Sequence, residues 1–358
     1  LTPLTNNTKE RDKMYHIISN PASGKRKEKR NLETVKRVFD ERGAKYLVYE
    51  TTRPGEATEI AAKLTAQANE ALEEAALTDR EATARGDLPR GEAKEVCGKQ
   101  TGADGENGEK NAEFSSDAWE EERARVSYTD IVVVGGDGTA HEVLNGIGNI
   151  SACRLGLIPS GTGNDFAVAA KIPMDAEAAA KLILDGEAKE TNFLTVGGVR
   201  CMNIGGLGMD VDVLVRCKKG RVKGRIKYLL SLLQSLFAFK GYPIVIESGE
   251  RRETHKALIA VACNGTQIGG GIRICPASVI DDGKIDVMAV ECMGKIQVIK
   301  AFLYLMKGKV LDYPAAEHFL CERVKITPAS PCTVQLDGEL YNGLDFDAKV
   351  ESGLKIYR

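Results

Sequence analysis

The residues best suited to chemistry form a glycine-rich turn. Four consecutive β-branched residues, Ile131–Val134, are typical of a strand that is buried on both faces. The next five residues, Gly135–Thr139, read Gly-Gly-Asp-Gly-Thr, and a helical pattern follows them. Such a turn presents backbone N–H groups and the positive end of a helix to an anion. Because Asp137 is placed to hold a metal ion or a metal-bound water, the pattern predicts a nucleotide phosphate site.

Two further glycine-containing turns, Asn20–Gly24 and Ser160–Asp165, also follow predicted strands. Ligands of open parallel sheets bind beyond the carboxyl ends of the strands, so we expect the three turns to converge there. Neither the G-x-x-x-x-G-K-[ST] spacing nor the G-x-G-x-x-G spacing occurs in these turns, which argues against the two best-known phosphate-binding loops.

Composition excludes several other classes of protein. The 358 residues include 49 basic and 51 acidic side chains, so overall charge does not favour a nucleic acid partner. None of the nine cysteines forms a C-x-x-C pair, which predicts reduced thiols and a cytoplasmic protein. The four histidines lie far apart, which argues against a histidine triad or a zinc hydrolase. No apolar run is long enough to span a bilayer.

Alternating strands and helices in the first half predict an α/β domain with a doubly wound parallel sheet, over residues 14–190. The predicted strands are 15–19, 45–50, 130–134 and 154–158, and the predicted helices are 27–42, 56–68, 139–148, 162–170 and 175–185. Residues 1–13 are predicted to be a disordered leader. Residues 69–126 are predicted to be an insertion, since the segment has few large apolar residues to bury.

From about residue 191 the pattern changes to short β-rich runs separated by glycine turns. Residues 191–340 are therefore predicted to form an all-β domain, an antiparallel sandwich, and the C-terminal segment 341–358 is a candidate to return to the first domain. The predicted strands are 193–199, 200–206, 243–248, 256–263, 285–291, 322–327, 332–336 and 353–357. Two helical segments, 222–239 and 295–307, interrupt them.

Taken together, these motifs resemble the diacylglycerol kinase catalytic family, which includes bacterial soluble lipid kinases, sphingosine kinases and ceramide kinases. The resemblance rests on Gly135–Thr139 with Glu142 and Asn145, on Asn20-Pro21-x-Ser23-Gly24 and on Gly161-Thr162-x-Asn164-Asp165. It implies a two-domain kinase that phosphorylates the hydroxyl of diacylglycerol or a related lipid, with ATP and Mg²⁺ in the cleft between the domains. The glycine–aspartate turn alone is shared with NAD kinases and 6-phosphofructokinases.

The resemblance also implies roles for individual residues. Asp137 and Asp165 would organise the catalytic magnesium and its waters, and Asp337 or Glu339 of the sequence Leu336-Asp337-Gly338-Glu339 would be the general base. A turn in the second domain would hold a structural cation through the Asp282 carboxylate and the backbone carbonyls of Val279 and Lys284. The implied ATP contacts are Asn20, Pro21, Ala22, Ser23, Gly24, Thr51, Gly135, Gly136, Asp137, Gly138, Thr139, Ala140, His141, Glu142, Thr162 and Asn164.

Each of these motifs also has a purely structural interpretation. Asp337-Gly338 is a common hairpin turn, and Asp281-Asp282-Gly283 is another turn sequence. Asp137 could cap the helix that follows it. His141 is expected to be a surface or packing residue and not a catalyst.

Two positions depart from the pattern of the family. Bacterial members tend to carry an aspartate where this chain has Asn192, and that aspartate joins the network of metal and water. The family often has an arginine where Val168 stands, and Lys171 is a candidate to replace it. We expect both departures to affect the level of activity more than the reaction class.

The segment Val222–Phe239 is a candidate for the element that handles the lipid. Its apolar residues recur at helical spacing, and basic residues between Arg216 and Lys227 crowd its start. This arrangement suits peripheral contact with an anionic membrane surface, at the inner face of the membrane. The alternative is that the apolar stripe packs on the sandwich and the charges are solvated.

Two other functions remain open at this stage. One is a NAD-kinase-like enzyme that phosphorylates a soluble substrate. The other is a non-catalytic nucleotide-binding protein that associates with membranes. This hypothesis rests on Asn192 and Val168, the two departures from the pattern of the family. Strands of the second domain could also pair between chains in a homodimer.

Overall fold

The structure is a computed structural model that describes residues 13–21, 26–66, 128–219, 230–231, 234–235, 240–292 and 294–358. The elements described below belong to one compact unit of the chain, drawn from residues 1–65 and 129–358. Several predictions lie outside the described residues. They concern Ala22, Ser23 and Gly24, residues 1–12, the insertion 69–126 and most of the segment 222–239.

The first half alternates strands with helices, as predicted. Its strands are β1 (Met14–Ser19), β2 (Lys45–Glu50), β3 (Thr129–Gly135) and β4 (Cys153–Pro159). Its helices are α1 (Arg26–Glu41), α2 (residues 56–66), α3 (Asp137–Gly146), α4 (Asp165–Ala169) and α5 (Ala176–Asp185). Every residue of β3 is buried, which explains why its sequence is apolar without alternation.

These four strands form a parallel sheet in the order β2-β1-β3-β4. The chain moves from β1 outwards to β2 and then returns to the other side of β1 for β3. The direction of winding therefore reverses between β1 and β3, and ligands of doubly wound sheets bind at such a switch point. Two contacts join the helices. Arg37 of α1 donates a hydrogen bond to Glu177 of α5, and Oγ1 of Thr58 in α2 donates to the backbone carbonyl of Glu142 in α3.

The second half is built almost entirely from strands. They are β5 (Ala188–Val196), β6 (Val199–Cys201), β7 (Ile204–Gly208), β8 (Tyr242–Ser248), β9 (Arg251–Cys263), β10 (Ile285–Glu291), β11 (Ala316–Cys321), β12 (Arg323–Pro328), β13 (Thr333–Leu336), β14 (Glu339–Asn342) and β15 (Phe346–Tyr357). Two helices of this half lie wholly within the described residues, α6 (Met209–Lys219) and α7 (Lys295–Met306). The prediction of a parallel α/β part followed by an antiparallel all-β part is confirmed.

The last strand, β15, joins the two parts. It pairs antiparallel with β5 and β12, and its end pairs in parallel with Arg154 and Leu155 of β4. The hydrogen-bonded path β14-β13-β7-β9-β8-β12-β15 therefore continues directly into the parallel sheet. This continuity holds β13 and β14 at a defined place relative to β3.

Several details differ from the predictions. The segment 200–206 was predicted as one strand but is two, β6 and β7, separated by Met202 and Asn203. The strands β11 and β14 and the helix α6 were not predicted. Among the described residues, no helix is long and apolar enough to cross a membrane, and the eight described cysteines are free thiols.

Candidate active site

The site lies at the switch point of the parallel sheet, where β1 and β3 end. The backbone N–H of Asn20 donates to the carbonyl of Val134 at 3.3 Å, so the chain segments that leave the two strands remain adjacent. The N–H groups of Ser160 and Gly161 donate to the carbonyl of Gly135 at 2.7 and 3.2 Å. The predicted convergence of the three turns therefore holds for their described residues.

Two carboxylates, those of Asp137 and Asp165, face one small space beside Gly163. A Cβ atom built on Gly163 would lie 2.8 Å from Oδ2 of Asp137 and 3.1 Å from Oδ2 of Asp165. Burial and the nearby charge of Asp165 raise the pKa of Asp137 to about 7. A divalent cation would relieve this repulsion, and carboxylate oxygens are the ligands that Mg²⁺ prefers. The donor set therefore fits the magnesium site implied by the resemblance.

The second half of the chain holds Asp165 in position. Its Oδ1 accepts from Nε2 of Gln267 at 2.9 Å, and the backbone N–H groups of Gly270 and Gly271 donate to its carboxylate. A loop after β9 thus fixes an acid that begins helix α4 of the first half. Sequence reasoning missed Gln267, since nothing in its local pattern distinguishes it.

The carboxylate of Asp337 is fully buried at the turn between β13 and β14. The backbone N–H groups of Met202 and Asn203, each at 2.8 Å, and that of Ile204, at 3.3 Å, donate to it. Burial by itself raises the pKa of Asp337, but the hydrogen bond with His141 and those from the backbone outweigh it, and the net effect is a lowered pKa. These bonds also explain why β6 and β7 are separate strands. The backbone N–H groups between the two strands donate to Asp337 and not to a neighbouring strand.

His141 connects Asp337 to Tyr341. Its Nδ1 lies 2.8 Å from Oδ2 of Asp337, and its Nε2 lies 2.6 Å from the hydroxyl of Tyr341. Burial lowers the pKa of His141, but the Asp337 carboxylate more than compensates, so the pKa is raised overall. The expectation that His141 is a surface or packing residue therefore has to be refined: it is buried, and its ring links α3 to the β13–β14 turn through hydrogen bonds. Both ring nitrogens face these protein groups.

Glu339 differs from Asp337, although only two residues separate them. It is exposed, and a Cβ atom built on Gly138 would lie 3.3 Å from its Oε1. The side chain therefore reaches the first turn of α3, beside the glycine turn that contains Asp137. The two acids of the Asp-Gly-Glu sequence thus have different environments, one inside a hydrogen-bonded cage and the other at the glycine turn.

The carboxylates of Asp137, Asp165 and Asp337 line a common cavity of about 330 Å³. Asp137, Thr162, Gly163 and Asp165 contribute from the first half, and the remaining lining residues come from the second half. They are Asn203, Ile204, Asp210, Leu214, Cys217, Ile268, Gly269, Gln335, Asp337 and Gly338. Asp137 and Asp337, which are separated by two hundred positions in the sequence, therefore face the same space.

The other described residues that were predicted to contact ATP do not line this cavity, and they have different roles. Nδ2 of Asn20 donates to Oγ1 of Thr139 at 3.3 Å, which joins the first two turns. The side chain of Asn164 is occupied by Gly161, since its Oδ1 accepts from that N–H and its Nδ2 donates to that carbonyl. The remaining described members, Pro21, Thr51, Gly135, Gly136, Gly138, Ala140 and Glu142, lie at the ends of β1, β2 and β3 and in α3.

The turn predicted to hold a structural cation is separate from this cavity. Oδ1 of Asp282 accepts from the backbone N–H of Lys284 at 2.9 Å, which is the interaction of an ordinary turn, and Val279 is exposed. Asn192 was expected beside the catalytic metal, but its Oδ1 accepts from the backbone N–H of Gly283 at 2.8 Å. In this structure Asn192 therefore stabilises the Asp281-Asp282-Gly283 turn.

Sequence reasoning missed a second, apolar cavity and an acid that borders it. Met209, Val213, Leu258, Ile259 and residues of α7 line this cavity, whose volume is about 40 Å³. Asp210 and Ile268 line both cavities. Burial raises the pKa of Asp210 to about 7, although Gln335 and the Val211 N–H lie close enough to favour the charged form. Neither of its carboxylate oxygens has a partner with hydrogen-bonding geometry among the described residues.

Comparisons with known proteins find two family models that match successive parts of the chain. Residues 14–73 and 104–196 match the model of the diacylglycerol kinase catalytic domain. Residues 204–354 match the model of the YegS C-terminal NAD kinase beta sandwich-like domain. The two models together match most of the chain, and residues 197–203, which include β6, lie between the two matches.

Individual relatives agree with these matches. Proteins named "Probable lipid kinase YegS-like" from Yersinia pestis (strain Pestoides F) and Yersinia pseudotuberculosis (serotype O:1b) are each 28% identical to this chain over 236 residues, which is 64% of this chain and 78% of the relative. A crystal structure of a diacylglycerol kinase from Bacillus anthracis str. Sterne is similar in fold, with a TM-score of 0.66 and 19% identity over 96% of each chain. The chain belongs to the lipid kinase family in which a diacylglycerol kinase catalytic domain is followed by a YegS-type C-terminal domain.

Proposed function

We propose that this protein transfers the γ-phosphate of ATP, with Mg²⁺, to the hydroxyl of diacylglycerol or a related lipid. Membership of a kinase family implies ATP as the phosphoryl donor and usually a divalent metal. The observation that carries the choice of a lipid is the pair of cavities that share Asp210 and Ile268. One is lined by acids and glycines, and the other almost entirely by apolar side chains, so a molecule with a polar head and an apolar tail suits both.

The apolar cavity is small in this structure, at about 40 Å³, so an acyl chain would enter only if side chains moved. Two of its lining residues, Met209 and Met288, are methionines, whose flexible side chains adapt readily to a guest. Growth of this cavity towards α7 would leave the acid-lined cavity unchanged. A soluble substrate such as NAD gains nothing from this apolar lining.

Glu339 is the better candidate for the general base. A base must lie within reach of the substrate hydroxyl, and its pKa must not be far below the working pH. The carboxylate of Asp337 already accepts several hydrogen bonds and has a lowered pKa, so it is a weak base. Glu339 is exposed and lies against the glycine turn, where the γ-phosphate would be held.

Asp137 and Asp165 would hold Mg²⁺, which neutralises charge on the phosphates when it is bound. The N–H groups of the glycine turn and the start of α3 would bind the phosphate oxygens. Asp337 would be a positioning residue. It holds the β6–β7 junction and His141 in place through hydrogen bonds, and it would thereby set the distance between Glu339 and the glycine turn.

The test is a phosphorylation assay with radiolabelled ATP, mixed micelles that contain diacylglycerol, and NAD in parallel. We expect a labelled lipid, no labelled NAD, and loss of at least about 100-fold in kcat for Asp137→Asn. Asp312→Asn, a change in the short helical turn after α7, is the matched control and should keep full activity. Labelled NAD without labelled lipid would favour the NAD-kinase-like alternative, and ATP binding without product would favour the non-catalytic one.

A further inference from the structure

The helix α7 has an apolar face that is exposed. Ile296, Ile299, Leu303 and Met306 are exposed by 71, 41, 51 and 47%. Their spacing of three, four and three residues places them on one side of the helix. The opposite side is buried: Val298 and Ala301 belong to the core of the second half, and Ala301, Phe302 and Leu305 line the apolar cavity.

Basic residues flank this face, which we call the α7 face. Lys295, Lys300, Lys307 and Lys309 are all exposed, and no acidic residue occurs from Lys295 to Leu311. At 100° per residue, Lys295 lies on one flank of the apolar row, and Lys300 and Lys307 lie on the other. An apolar row between lysines is the arrangement of a helix that lies in the surface of an anionic bilayer.

A polar cavity at the end of the same helix adds a second observation. It has a volume of about 230 Å³ and is lined by Arg273 and Lys307, together with Leu305, Met306 and residues 271, 272 and 308. Neither Arg273 nor Lys307 forms an ion pair with any described residue. Two unpaired cations beside apolar side chains are suited to the phosphate of a lipid headgroup.

We propose that the α7 face docks on the surface of an anionic phospholipid bilayer, with a headgroup phosphate between Arg273 and Lys307. This inference deepens the proposed lipid kinase function, because α7 separates the bilayer from the apolar cavity on its inner side. A lipid that leaves the bilayer at this face would have a short path to the acid-lined cavity. The docking face differs from the segment 222–239, which was the candidate for this role in the sequence analysis.

The experiment measures co-sedimentation of the full chain with vesicles of phosphatidylcholine, alone or mixed with phosphatidylglycerol. We expect binding only to the mixed vesicles, and less of it at high salt. Leu303→Glu should lower the partition coefficient by about tenfold or more, because it removes an apolar anchor and adds a negative charge. Arg273→Glu should lower it several-fold.

Matched controls come from the first half of the chain. Leu47 in β2 is 50% exposed, so Leu47→Glu repeats the same change outside the α7 face. Lys63→Glu reverses an exposed lysine of α2, and neither control should alter vesicle binding. Equal binding of Leu303→Glu and the wild type would overturn the proposal. So would a wild-type dimer in light scattering that Leu303→Glu dissociates without any vesicle binding, since the face would then bind a second copy of this chain.

A second assay separates this proposal from the proposed function. With a short-chain diacylglycerol dispersed as monomers in water, Leu303→Glu should keep the wild-type kcat, since no bilayer is needed. Loss of kcat in that assay would mean that the face acts in catalysis and not in docking, against the proposal. If the wild type phosphorylates no lipid but its vesicle binding still depends on Leu303, the lipid kinase function fails and the docking surface stands.

Discussion

His141 and Asp337 bind each other across the junction between the parallel and the antiparallel parts of the molecule, with 2.8 Å between Nδ1 and Oδ2. Both side chains are almost completely buried. The contact raises the pKa of the imidazole and lowers that of the carboxyl group, so the pair is ionic over a wide range of pH. It is the most direct link between helix α3 and the turn that carries Glu339.

The first prediction concerns the pH dependence of stability in His141→Gln. The pKa of His141 is raised in the folded state. The stability that the protonated His141 contributes is therefore complete below about pH 6.5 and is lost as the pH rises through the folded pKa. The pKa of Asp337 is lowered in the folded state. The stability that its carboxylate contributes is therefore complete above about pH 4 and is lost in stronger acid. We expect a loss of roughly 3 kcal/mol in urea unfolding near pH 6, and a smaller loss near pH 9.

His16→Gln provides the control for this prediction. Burial lowers the pKa of His16, so the stability that this residue contributes changes with pH in the opposite direction. The loss of unfolding free energy in His16→Gln should therefore not shrink as the pH rises. If His141→Gln were equally destabilising at both pH values, the ionic nature of the pair would be disproved.

The second prediction separates the two acids of the Asp-Gly-Glu sequence. Glu339→Gln should lower kcat by about 100-fold or more, because it removes the base, and should leave the free energy of unfolding nearly unchanged, since the side chain is exposed. Asp337→Asn should lower stability as well as activity, because a buried acceptor of several N–H groups loses its charge. Near-normal kcat in Glu339→Gln would return the role of base to Asp337.

The third prediction tests the cation site through Gly163. The backbone of Gly163 does not require glycine, but its missing side chain leaves room for two carboxylate oxygens at 2.8 and 3.1 Å from the Cβ position. Gly163→Ala should therefore raise the Mg²⁺ concentration needed for half-maximal activity by about tenfold or more. The thermal midpoint without Mg²⁺ serves as the control, because a general loss of folding would lower it as well. An unchanged Mg²⁺ requirement would place the cation elsewhere.

The sequence predicted the elements that hold this site better than it predicted the contacts within it. The apolar run before Gly135 identified β3, and the glycine turn after it identified the end of the strand where a ligand is expected, because both signals are local. The environment of Asp337 depends on Met202 and Asn203, which are far away in the sequence, and no local pattern marks such a cage. For the same reason, Asp337 and Glu339 were indistinguishable before the structure placed one inside and the other at the surface.

Helix α6 and its acid illustrate a different reason for failure. Asp210 stands between apolar residues, so the sequence gives no sign that its carboxylate is buried between two cavities. Tertiary packing alone creates that environment. The charged segment that follows it attracted attention in the sequence because its composition is conspicuous, whereas the α7 face became visible only when the exposure of each side chain was known.

The last prediction concerns Asp210→Asn. The pKa of Asp210 is raised to about 7 in the folded state, so wild-type folding takes up a proton and loses stability as the pH rises from about 4 to about 7. Asparagine has nearly the same shape and does not titrate. The stability of the variant relative to the wild type should therefore increase over this range and then level off, as measured by urea unfolding.

The same variant tests the position of Asp210 between the two cavities. Because the side chain contacts both spaces, Asp210→Asn should raise the KM for the lipid and leave the KM for ATP unchanged. Asp212→Asn, two residues further along α6 and paired with Arg216 on a half-exposed side of the helix, is the matched control and should alter neither constant. A change in the KM for ATP alone would mean that Asp210 belongs to the nucleotide site, and the apolar cavity would then lose its connection with the lipid.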